Sequence, residues 1–599
     1  MVCGRSGRRT GFGRLRKEES QGDRFPDRTG TSRQVGRIES EGEGSRGRRC
    51  GARRAPGDAS HRGRVGRAPR RPHRVTCRSR RPQRSGLRRW CRSRKWTRDR
   101  HAASKEVNSR LRRAFGDRHR GNRDAHGAGE MVECLRTALR PDQVRDSESE
   151  VHLYRHDASN LSGRASVVCF VESTADVQAV VRVANQFDTP FVARGSGTGL
   201  AGGAVPLDGS IVISTSKMNR ILSVDAVNRT AWVEPGVLNL DLSNQVEHLG
   251  VHFAPDPSSQ QTCSIGGNVA NNSGGPHCLA DGVTSAHIHA VEVVLPDGST
   301  TILGGERPEP EGYDLRGVFV GSEGMFGVAT KVCVKLMQNP PDVATLLLDF
   351  STVADGAQLV SDIIADGIIP AAVEMMDQLC LQAVEEFIHA GLPVDQAAAL
   401  LIEVVGLPRG VESDVARIRE LAARRNVGTI RVAADDEERA LLWKGRKSAF
   451  GAIARIKPNY YLHDTVVPRH RLPDVLDQIY EIVERHQLIV LNVFHAGDGN
   501  LHPLLVFDAT EPGVSERVHA AGDEIVRVSV EAGGVLSGEH GIGLEKRDLM
   551  PLMFSAVDLA AQADLRRAFD PGLLANPDKV LPSPATCGDI HSIPDGAWI

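Results

Sequence analysis

A glycine-rich loop at residues 194–203 constrains the fold of this chain more than any other feature. It reads RGSGTGLAGG and follows a predicted strand at Thr189–Ala193. The loop contains a formal GxGxxG, but a Rossmann nucleotide site needs a helix directly after the glycines. Pro206 and Asp208-Gly209 follow instead, and then a predicted strand at Ile211–Ser214. The sequence therefore predicts a strand–loop–strand whose bare amides form an anion nest for phosphate, with a flexible surface turn as the simpler alternative.

Two further runs of small and amide residues follow in the same part of the chain. Residues 255–275 read PDPSSQQTCSIGGNVANNSGG, and residues 321–330 read GSEGMFGVAT. Residues without bulky side chains let a large planar ligand and its diphosphate lie against the main chain. Three such runs in one domain exceed what turns require, so we expect a cofactor held by loops.

Strands and helices are predicted on both sides of a linker at residues 338–341. Before it, Val167–Val171 reads as a strand and Thr174–Asn185 as a helix with Ser173 as N-cap. Beyond it, longer helices such as Leu472–Arg485 alternate with strands such as Leu400–Val405. The second part therefore reads as an α+β domain.

Two histidines flank a predicted hairpin turn. Leu488–His495 and Leu501–Phe507 read as strands, and Asp498-Gly499 between them is the strongest two-residue hairpin signal. A turn at these two residues pairs His495 directly with His502, with their Cβ atoms about 5 Å apart on one face. Two imidazoles so placed can share a divalent ion, although two ordinary strand histidines remain the alternative.

A third ligand is available in the sequence SGEHGIG at residues 537–543, which places Glu539 beside His540 in a glycine-rich loop. Two histidines and one glutamate with an open position form a catalytic metal arrangement. A solvated surface pair is the alternative for Glu539 and His540.

The charge of the chain is distributed unevenly although its formal net charge is zero. Residues 1–130 hold 36 Arg and 3 Lys against 13 Asp and Glu, whereas the rest of the chain is acidic. The basic stretch has almost no apolar periodicity, so we expect no packed core there. A start site placed too far upstream of Met131, an organelle transit segment and a nucleic-acid-binding arm all fit it.

The eleven cysteines form no CxxC pair, so we expect no iron–sulfur cluster or zinc ribbon. Without a signal peptide or a long apolar run, the expected location is cytoplasmic, with docking on a membrane complex left open.

The three small-residue runs resemble the FAD-binding domain of the vanillyl-alcohol-oxidase-type flavoproteins. The resemblance covers about residues 140–582 and is strongest to the FAD-linked 2-hydroxy-acid dehydrogenases. It implies an α+β fold, with a two-lobed FAD-binding domain and then a cap domain with an antiparallel sheet. The expected parts are a basic extension (1–130), the FAD domain (131–338), the cap (339–557), a C-terminal helix and segment returning to the flavin (558–582) and a tail (583–599).

The resemblance also assigns residues. It implies contacts with FAD from Arg194, Gly195, Ser196, Gly197, Thr198, Gly199, Pro255, Asp256, Ser259, Thr262, Gly266, Gly267, Asn271, Gly274, Glu323, Gly327, Val328 and Asn576. It matches His495, His502 and Glu539 to metal ligands for Zn, Mn or Fe, His540 to a general base, and Asn500 to a substrate or flavin contact. Because no histidine lies in the glycine loop, we expect non-covalent FAD.

A 2-hydroxy acid carries a carboxylate, which a guanidinium binds through two hydrogen bonds. The family has such an arginine at the position of Arg446, although a basic helix face is often only solvated. Some members add a lysine near Leu462, and its absence here favours glycolate or D-lactate over larger dicarboxylates.

The expected reaction is oxidation of a small 2-hydroxy acid to the 2-oxo acid, with hydride transfer to FAD. Electrons then pass to a quinone, a cytochrome, an electron-transfer flavoprotein or an iron–sulfur subunit. We expect a homodimer and no nucleic acid on the folded part. A metallohydrolase and a nucleic-acid-binding protein built on the basic stretch remain alternatives.

Overall fold

The computed structural model describes residues 125–159, 161–306 and 312–582, with side chains from residue 127 onward. Nearly all of the predicted basic extension, and the predicted tail at 583–599, lie outside the described residues. Helix α1 (Ala125–Ala138) begins six residues before Met131, which packs into the same core cluster as Leu135. Among the described residues, no helix is both long enough and apolar enough to cross a membrane.

The glycine loop belongs to a four-stranded sheet. Its strands are β1 (Val144–Arg145), β2 (Ala165–Phe170), β3 (Phe191–Arg194) and β4 (Ser210–Ser214), in the order β1-β2-β4-β3. Strands β2 and β3 both run parallel to β4, and residues 195–209 join β3 to β4 without a helix. This is the predicted strand–loop–strand.

Two helices follow β1 in this lobe, α2 (Glu148–His152) and α3 (Thr174–Gln186). The α3 helix lies within one residue of its prediction because its apolar side chains recur at helical spacing and are buried. The hydroxyl of Ser173 accepts a hydrogen bond from the backbone N–H of Asp176, as expected of an N-cap.

The second sheet is antiparallel. It contains β5 (Ile221–Asp225), β6 (Thr230–Val233), β8 (Ile288–Val294), β9 (Thr300–Gly304) and β10 (Val328–Lys335), in the order β5-β6-β10-β8-β9. A small pair is formed by β7 (Val251–His252) and β11 (Met337–Gln338). The helices here are α4 (Asn239–Val246), α5 (Ile265–Asn271), α6 (Cys278–Asp281) and α7 (Leu315–Phe319). The first two sheets together form the two lobes expected of the predicted FAD domain, called below the N-terminal half (residues 125–338).

The C-terminal half (residues 339–557) is built on a nine-stranded antiparallel sheet. Its strands are β12 (Asp342–Phe350), β13 (Ala372–Asp377), β14 (Ala398–Gly406), β15 (Val427–Val432), β16 (Asn459–Leu462), β17 (Thr465–Val466), β18 (Ile489–His495), β19 (Asn500–Leu501) and β20 (Pro503–Phe507). Its helices are α8 (Val353–Ala365), α9 (Gln378–Ile388), α10 (Pro408–Ala422), α11 (Asp436–Lys447), α12 (Ala449–Ile453), α13 (Leu472–Arg485) and α14 (Val514–Glu531). An α+β domain with an antiparallel sheet is therefore confirmed.

The last helix of the described residues, α15 (Ala556–Phe569), leads the chain back to the N-terminal half. Beyond it, the backbone N–H of Phe191 donates to Leu574 O at 2.9 Å, and the N–H of Asn576 donates to Phe191 O at 2.7 Å. The C-terminal segment thus pairs with β3 directly before the glycine loop.

Candidate functional site

A cavity of about 450 Å³ lies between the two halves. All three small-residue runs of the N-terminal half line it, and the C-terminal half contributes Arg446, Lys447, Phe450, Tyr460, Leu462, His502, Glu539 and His540. Thirteen of the expected FAD contacts lie in this lining: Arg194, Gly195, Ser196, Gly197, Thr198, Gly199, Ser259, Gly266, Gly267, Asn271, Glu323, Gly327 and Val328. The structure therefore brings the predicted cofactor loops, the predicted metal residues His502 and Glu539, and the predicted base His540 to one cavity, whereas the third predicted metal residue, His495, is not part of the lining.

The glycine loop curls over the side chain of Arg194. The guanidinium contacts the carbonyl oxygens of Tyr154 and Ala204 and lies 5.4 Å from the centre of the Tyr154 ring. Gly197 has φ +74°, and a Cβ atom there would lie 2.3 Å from Arg194 Nη2. A side chain at Gly197 would therefore be strained by its conformation and would have to displace the Arg194 guanidinium.

The backbone N–H groups of Ser196, Gly197 and Thr198 donate to no acceptor among the described residues. These donors lie in the cavity wall beside a buried arginine. Such a set suits the diphosphate of a dinucleotide, and an adjacent open volume suits its planar ring.

Five other expected FAD contacts lie behind the cavity lining. The carbonyl of Pro255 accepts from Asn239, and the N–H of Thr262 donates to Ser259 O. The carboxylate of Asp256 contacts His277 Nδ1 at 2.8 Å.

Gly274 and Asn576 are the other two. A Cβ atom on Gly274 would lie 2.8 Å from Glu539 Oε2. The Asn576 amide donates to the carbonyls of Gly203 and Glu323, and so ties two cavity loops together. The neighbours of Thr262, Gly274 and Asn576 line the cavity, whereas Asn239 and His277, the partners of Pro255 and Asp256, do not.

Glu323 lies in the lining, but its side chain faces the C-terminal half. Its carboxylate accepts from the backbone N–H groups of Ile542 at 2.7 Å and Gly543 at 2.9 Å. Backbone N–H groups of Leu544 and Glu545 also donate to Ala201 O in the glycine loop. The segment that carries Glu539 and His540 is therefore fastened to the loops of the other half.

His495, His502 and Glu539 converge on one point. Glu539 Oε1 lies 3.3 Å from His495 Nε2 and 3.2 Å from His502 Nε2, and the three ligand atoms lie within 4.8 Å of one another. Glu539 Oε2 is buried and makes no hydrogen bond. Burial alone would raise the pKa of Glu539, but His495 and His502 hold it well below its ordinary value. Two buried histidines and a half-buried glutamate with one carboxylate oxygen unused fit a divalent cation.

The hairpin between the two histidines does not have the predicted register. His495 pairs with Asn500, so the loop has four residues, Ala496–Gly499, rather than the two at Asp498-Gly499. The predicted direct pairing of His495 with His502 is therefore wrong by two residues. Because a shift of two keeps side chains on the same face, the two rings still meet, with centroids 5.0 Å apart.

Neighbouring strands set this register. Strand β19 pairs with β17, whereas Pro503, which has no N–H to donate, begins β20 and its pairing with β16 and β18. Gly499 has φ +81°, and its carbonyl accepts a hydrogen bond from the Val467 N–H. It also approaches so closely that a Cβ atom on it would lie 2.1 Å from Val467 O. Contacts outside the hairpin therefore outweigh the local turn preference.

The two histidines present Nε2 to the site because their Nδ1 atoms face other groups. His495 Nδ1 lies 2.7 Å from Glu374 Oε1, and His502 Nδ1 lies 3.4 Å from His463 O. A carboxylate or a carbonyl on Nδ1 fixes the tautomer whose Nε2 lone pair is free for a metal.

Arg446 lies in the cavity wall, but Glu374 already holds part of its guanidinium. Nε and Nη2 of Arg446 lie 2.7 and 2.6 Å from Glu374 Oε2. Burial would raise the pKa of Glu374, yet Arg446 and His495 lower it to about 2.

Asn500 lies outside the cavity lining. In the orientation that satisfies both ends of its amide, it donates to Asp464 Oδ1 at 2.7 Å and to Thr465 O at 3.2 Å. An added Cβ on Gly538 would lie 2.5 Å from this amide. Asn500 thus supports the loop that carries Glu539 and His540.

Asp464 is the main anchor of that loop. Its carboxylate accepts from the backbone N–H groups of Gly538, Glu539 and His540 at 3.0, 3.2 and 3.0 Å and from the Ser537 hydroxyl. Lys546 Nζ lies 3.8 Å away. Burial opposes ionisation of Asp464, but Lys546, His540 and His502 hold its pKa well below the ordinary range. Sequence reasoning missed Asp464, Glu374 and Lys546, because their partners lie far away in the sequence.

His540 stacks on His502, with ring centroids 5.1 Å apart and planes inclined by 12°. Burial, together with His502 and Lys546, lowers the pKa of His540 to about 4, although Asp464 and Glu539 act in the opposite direction. The ring is therefore neutral near pH 7 and can accept a proton from a molecule in the cavity.

Two family models match the chain. One, described as an FAD binding domain, matches residues 165–304, and the other, described as the C-terminal domain of FAD linked oxidases, matches residues 339–580.

Relatives with known names match over most of their length. The glycolate oxidase subunit GlcD of Escherichia coli (strain K12) is 43% identical over 452 residues, which cover 75% of this chain and 91% of the relative. The subunit of the same name from Bacillus subtilis (strain 168) is 37% identical, with 74% and 94% covered. A D-lactate dehydrogenase of Anaerostipes hadrus is 29% identical, with 75% and 97% covered.

Solved structures with the same fold include p-cresol methylhydroxylase with bound substrate. It aligns with a TM-score of 0.65 at 18% identity, covering 76% of this chain and 96% of that one. The 4-ethylphenol oxidase from Gulosibacter chungangensis aligns at 0.64 and 20% identity, covering 76% and 98%. At this identity the alignments show the fold alone.

Proposed function

The chain belongs to the FAD-linked oxidase family and is an FAD-dependent oxidoreductase acting on the CH–OH group of 2-hydroxy acids, and we propose that its substrate is a short monocarboxylic acid such as glycolate or D-lactate. One observation carries this proposal. Glu539, His502 and the candidate base His540 line the same cavity as the three small-residue loops. A substrate hydroxyl can therefore reach a base and a bound flavin from one position.

We further propose that His495, His502 and Glu539 hold a divalent metal ion. The two Nε2 atoms, the shared Oε1 and the unpartnered Oε2 support this site. When bound, the ion supplies a Lewis acid that lowers the pKa of the substrate hydroxyl. The mixed nitrogen and oxygen ligands suit Zn, Mn or Fe.

Each residue of the cavity wall then has a separate role in the reaction. Arg446 orients the substrate carboxylate from the cavity wall, and the neutral His540 ring accepts the hydroxyl proton. Phe450, Tyr460 and Leu462 line the cavity beside them and exclude water from the reacting carbon. When bound, FAD supplies the acceptor for the hydride that leaves the α-carbon, and the product is the 2-oxo acid.

Electrons must afterwards leave the reduced flavin for another molecule. Among the described residues, one group has the spacing of metal ligands, and none of the six described cysteines belongs to it. We propose a separate acceptor, either a quinone or a redox protein.

A substrate panel tests the proposal directly. The purified full-length protein should show flavin absorbance, and glycolate or D-lactate should bleach it without added acceptor. With an artificial electron acceptor, either acid should turn over at least about tenfold faster than 2-hydroxyglutarate. The second carboxylate of 2-hydroxyglutarate would lose its hydration in the cavity, and the cavity wall offers it few polar groups in return. A colourless protein, or a flavin that no 2-hydroxy acid reduces, would refute the proposal.

Leu462→Lys should change the preference among these acids. Leu462 is buried in the cavity wall beside Phe450 and Tyr460, so lysine would place a cation against the substrate side chain. We expect kcat/KM for 2-hydroxyglutarate relative to glycolate to rise about tenfold, the equivalent of about 1.4 kcal/mol. Leu462→Met is the matched control and should leave the ratio unchanged. An unchanged ratio in the lysine variant would show that Leu462 does not face the substrate side chain.

A further inference from the structure

Glu374 is a fully buried carboxylate that contacts two functional residues at once. It lies in β13, directly opposite His495 in β18. Its Oε1 atom meets His495 Nδ1 at 2.7 Å, whereas its Oε2 atom meets Nε and Nη2 of Arg446. Glu374, His495 and Arg446 are all at most 3% exposed, so water does not compete for these contacts.

We propose that Glu374 is a positioning residue that couples binding of the substrate carboxylate at Arg446 to metal binding at His495. This inference rests on the proposed function, because it assumes the metal and the anionic substrate. Glu374 itself contacts neither of them; it acts through the two residues that do.

The coupling arises because the single carboxylate of Glu374 interacts with both His495 and Arg446. On one side, Glu374 accepts a hydrogen bond from His495 Nδ1–H, and this leaves the Nε2 lone pair for the metal. On the other side, it neutralises Arg446 in the free enzyme. A substrate carboxylate at Arg446 takes over part of that role, so more of the Glu374 charge acts on His495 and strengthens it as a ligand. By linkage, the metal must strengthen substrate binding by the same factor.

A purely structural ion pair would look different. Replacing a buried pair by apolar residues is often neutral for stability, so a pair alone gives little reason for two buried charges. Here the strand register adds a third partner, since Glu374 faces His495 across β13 and β18. The shared carboxylate therefore links the cavity wall to the metal site through three residues.

Glu374→Gln tests the role. The glutamine amide has one acceptor and one donor end, so it cannot accept from both His495 Nδ1–H and Arg446. In the FAD-loaded, metal-stripped full-length protein, titrated with Zn²⁺ and separately with Mn²⁺, we expect the dissociation constant to rise about 10–100-fold. The flavin spectrum should stay unchanged, because Glu374 lies outside the lining of the cavity. KM for the acid should rise, and added substrate should no longer tighten the metal.

Glu403→Gln is the matched control. Glu403 is buried in the adjacent strand β14 and accepts from Thr345 and Trp443, yet it contacts no metal ligand. It should lower the melting temperature to a similar extent and leave both metal dissociation constants as in the wild type. Equal metal affinities in Glu374→Gln and the wild type would overturn the proposed role.

The double variant Glu374→Gln/Arg446→Met separates positioning from folding. Without the competing guanidinium, the glutamine oxygen can accept from His495 Nδ1–H alone. Metal affinity should therefore return to within about threefold of the wild type, which corresponds to less than about 0.7 kcal/mol, while KM stays high. Metal affinity that remains low in the double variant would overturn the role. A wild-type protein that binds neither ion would overturn the metal site and this inference together, whereas a failure confined to the variants concerns Glu374 alone.

Discussion

Replacing His502 by alanine is expected to leave FAD bound and to lower kcat/KM by about three orders of magnitude. His502 offers its Nε2 atom to the proposed metal, and this nitrogen lies 3.2 Å from Glu539 Oε1. Its removal leaves two ligands where catalytic sites of this kind use three. A Lewis acid contributes several kcal/mol of charge stabilisation in the transition state, which corresponds to a factor of about 10³ in rate.

Three measurements on one sample check this prediction: flavin absorbance, metal content by atomic emission, and turnover of glycolate and D-lactate with an artificial acceptor. His486→Ala is the control, because His486 contacts Glu524 at 2.9 Å and lies outside the cavity lining. It should retain flavin, metal and turnover. Turnover at the wild-type level in His502→Ala would contradict the metal role, and loss of flavin would show that His502 supports the cofactor instead.

Local patterns predicted the secondary structure well. The helix at Leu472–Arg485 has the bounds given by its apolar periodicity, and α3 differs from its prediction by one residue. Helix periodicity and N-caps are properties of adjacent residues, so a single sequence contains them. The absence of a helix after the glycine loop could also be predicted, because Pro206 and Asp208-Gly209 leave no room for one.

The register of the hairpin between His495 and His502 could not be predicted from adjacent residues in this way. Asp498-Gly499 favours a two-residue turn, but β16 and β17 pair with this hairpin from elsewhere in the sequence. The prediction that His495 and His502 share a face survives only because the error is an even number of residues. A shift of one would have separated the two histidines.

Buried carboxylates are the main part of the site that sequence reasoning missed. Glu374 meets Arg446 and His495 across separations of 72 and 121 residues, and Asp464 meets the backbone at Glu539 across 75. Nothing adjacent to Asp464 distinguishes it from a solvated charge. A signal was present in one case, since Glu374 stands in the apolar run at residues 371–376, where a charge needs a partner.

Asp464→Asn is the second change with a large expected effect. The carboxylate holds the backbone of Gly538, Glu539 and His540 and faces the buried Lys546. Asparagine keeps the shape but removes the charge, so Lys546 is left buried without its counter-charge. We expect the free energy of unfolding to fall by about 3–5 kcal/mol, the usual result of breaking a buried ion pair on one side.

The turnover rate of Asp464→Asn should also fall, by about 100-fold or more, because a displacement of about 1 Å at a reacting group lowers the rate by about that factor. The N–H₂ group of asparagine must face one of the backbone N–H donors from which the Asp464 carboxylate accepts a hydrogen bond. Because two donors repel each other, we expect the loop that carries Glu539 and His540 to move. Urea unfolding gives the stability, and turnover well below the melting temperature gives the rate. Asp377→Asn is the matched control. Asp377 is buried and caps α9 through Cys380 N–H, so it should lose stability but not turnover.

A second variant separates the two effects of Asp464. In Asp464→Asn/Lys546→Met no unpaired charge remains, so most of the lost stability should return. The donors at Gly538, Glu539 and His540 still face an amide instead of a carboxylate, and turnover should stay low. If turnover recovered together with stability, Asp464 would matter to the reaction only through folding. If stability recovered alone, the geometry of the proposed base His540 and of the proposed metal ligand Glu539 would depend on a carboxylate that contacts neither substrate nor cofactor.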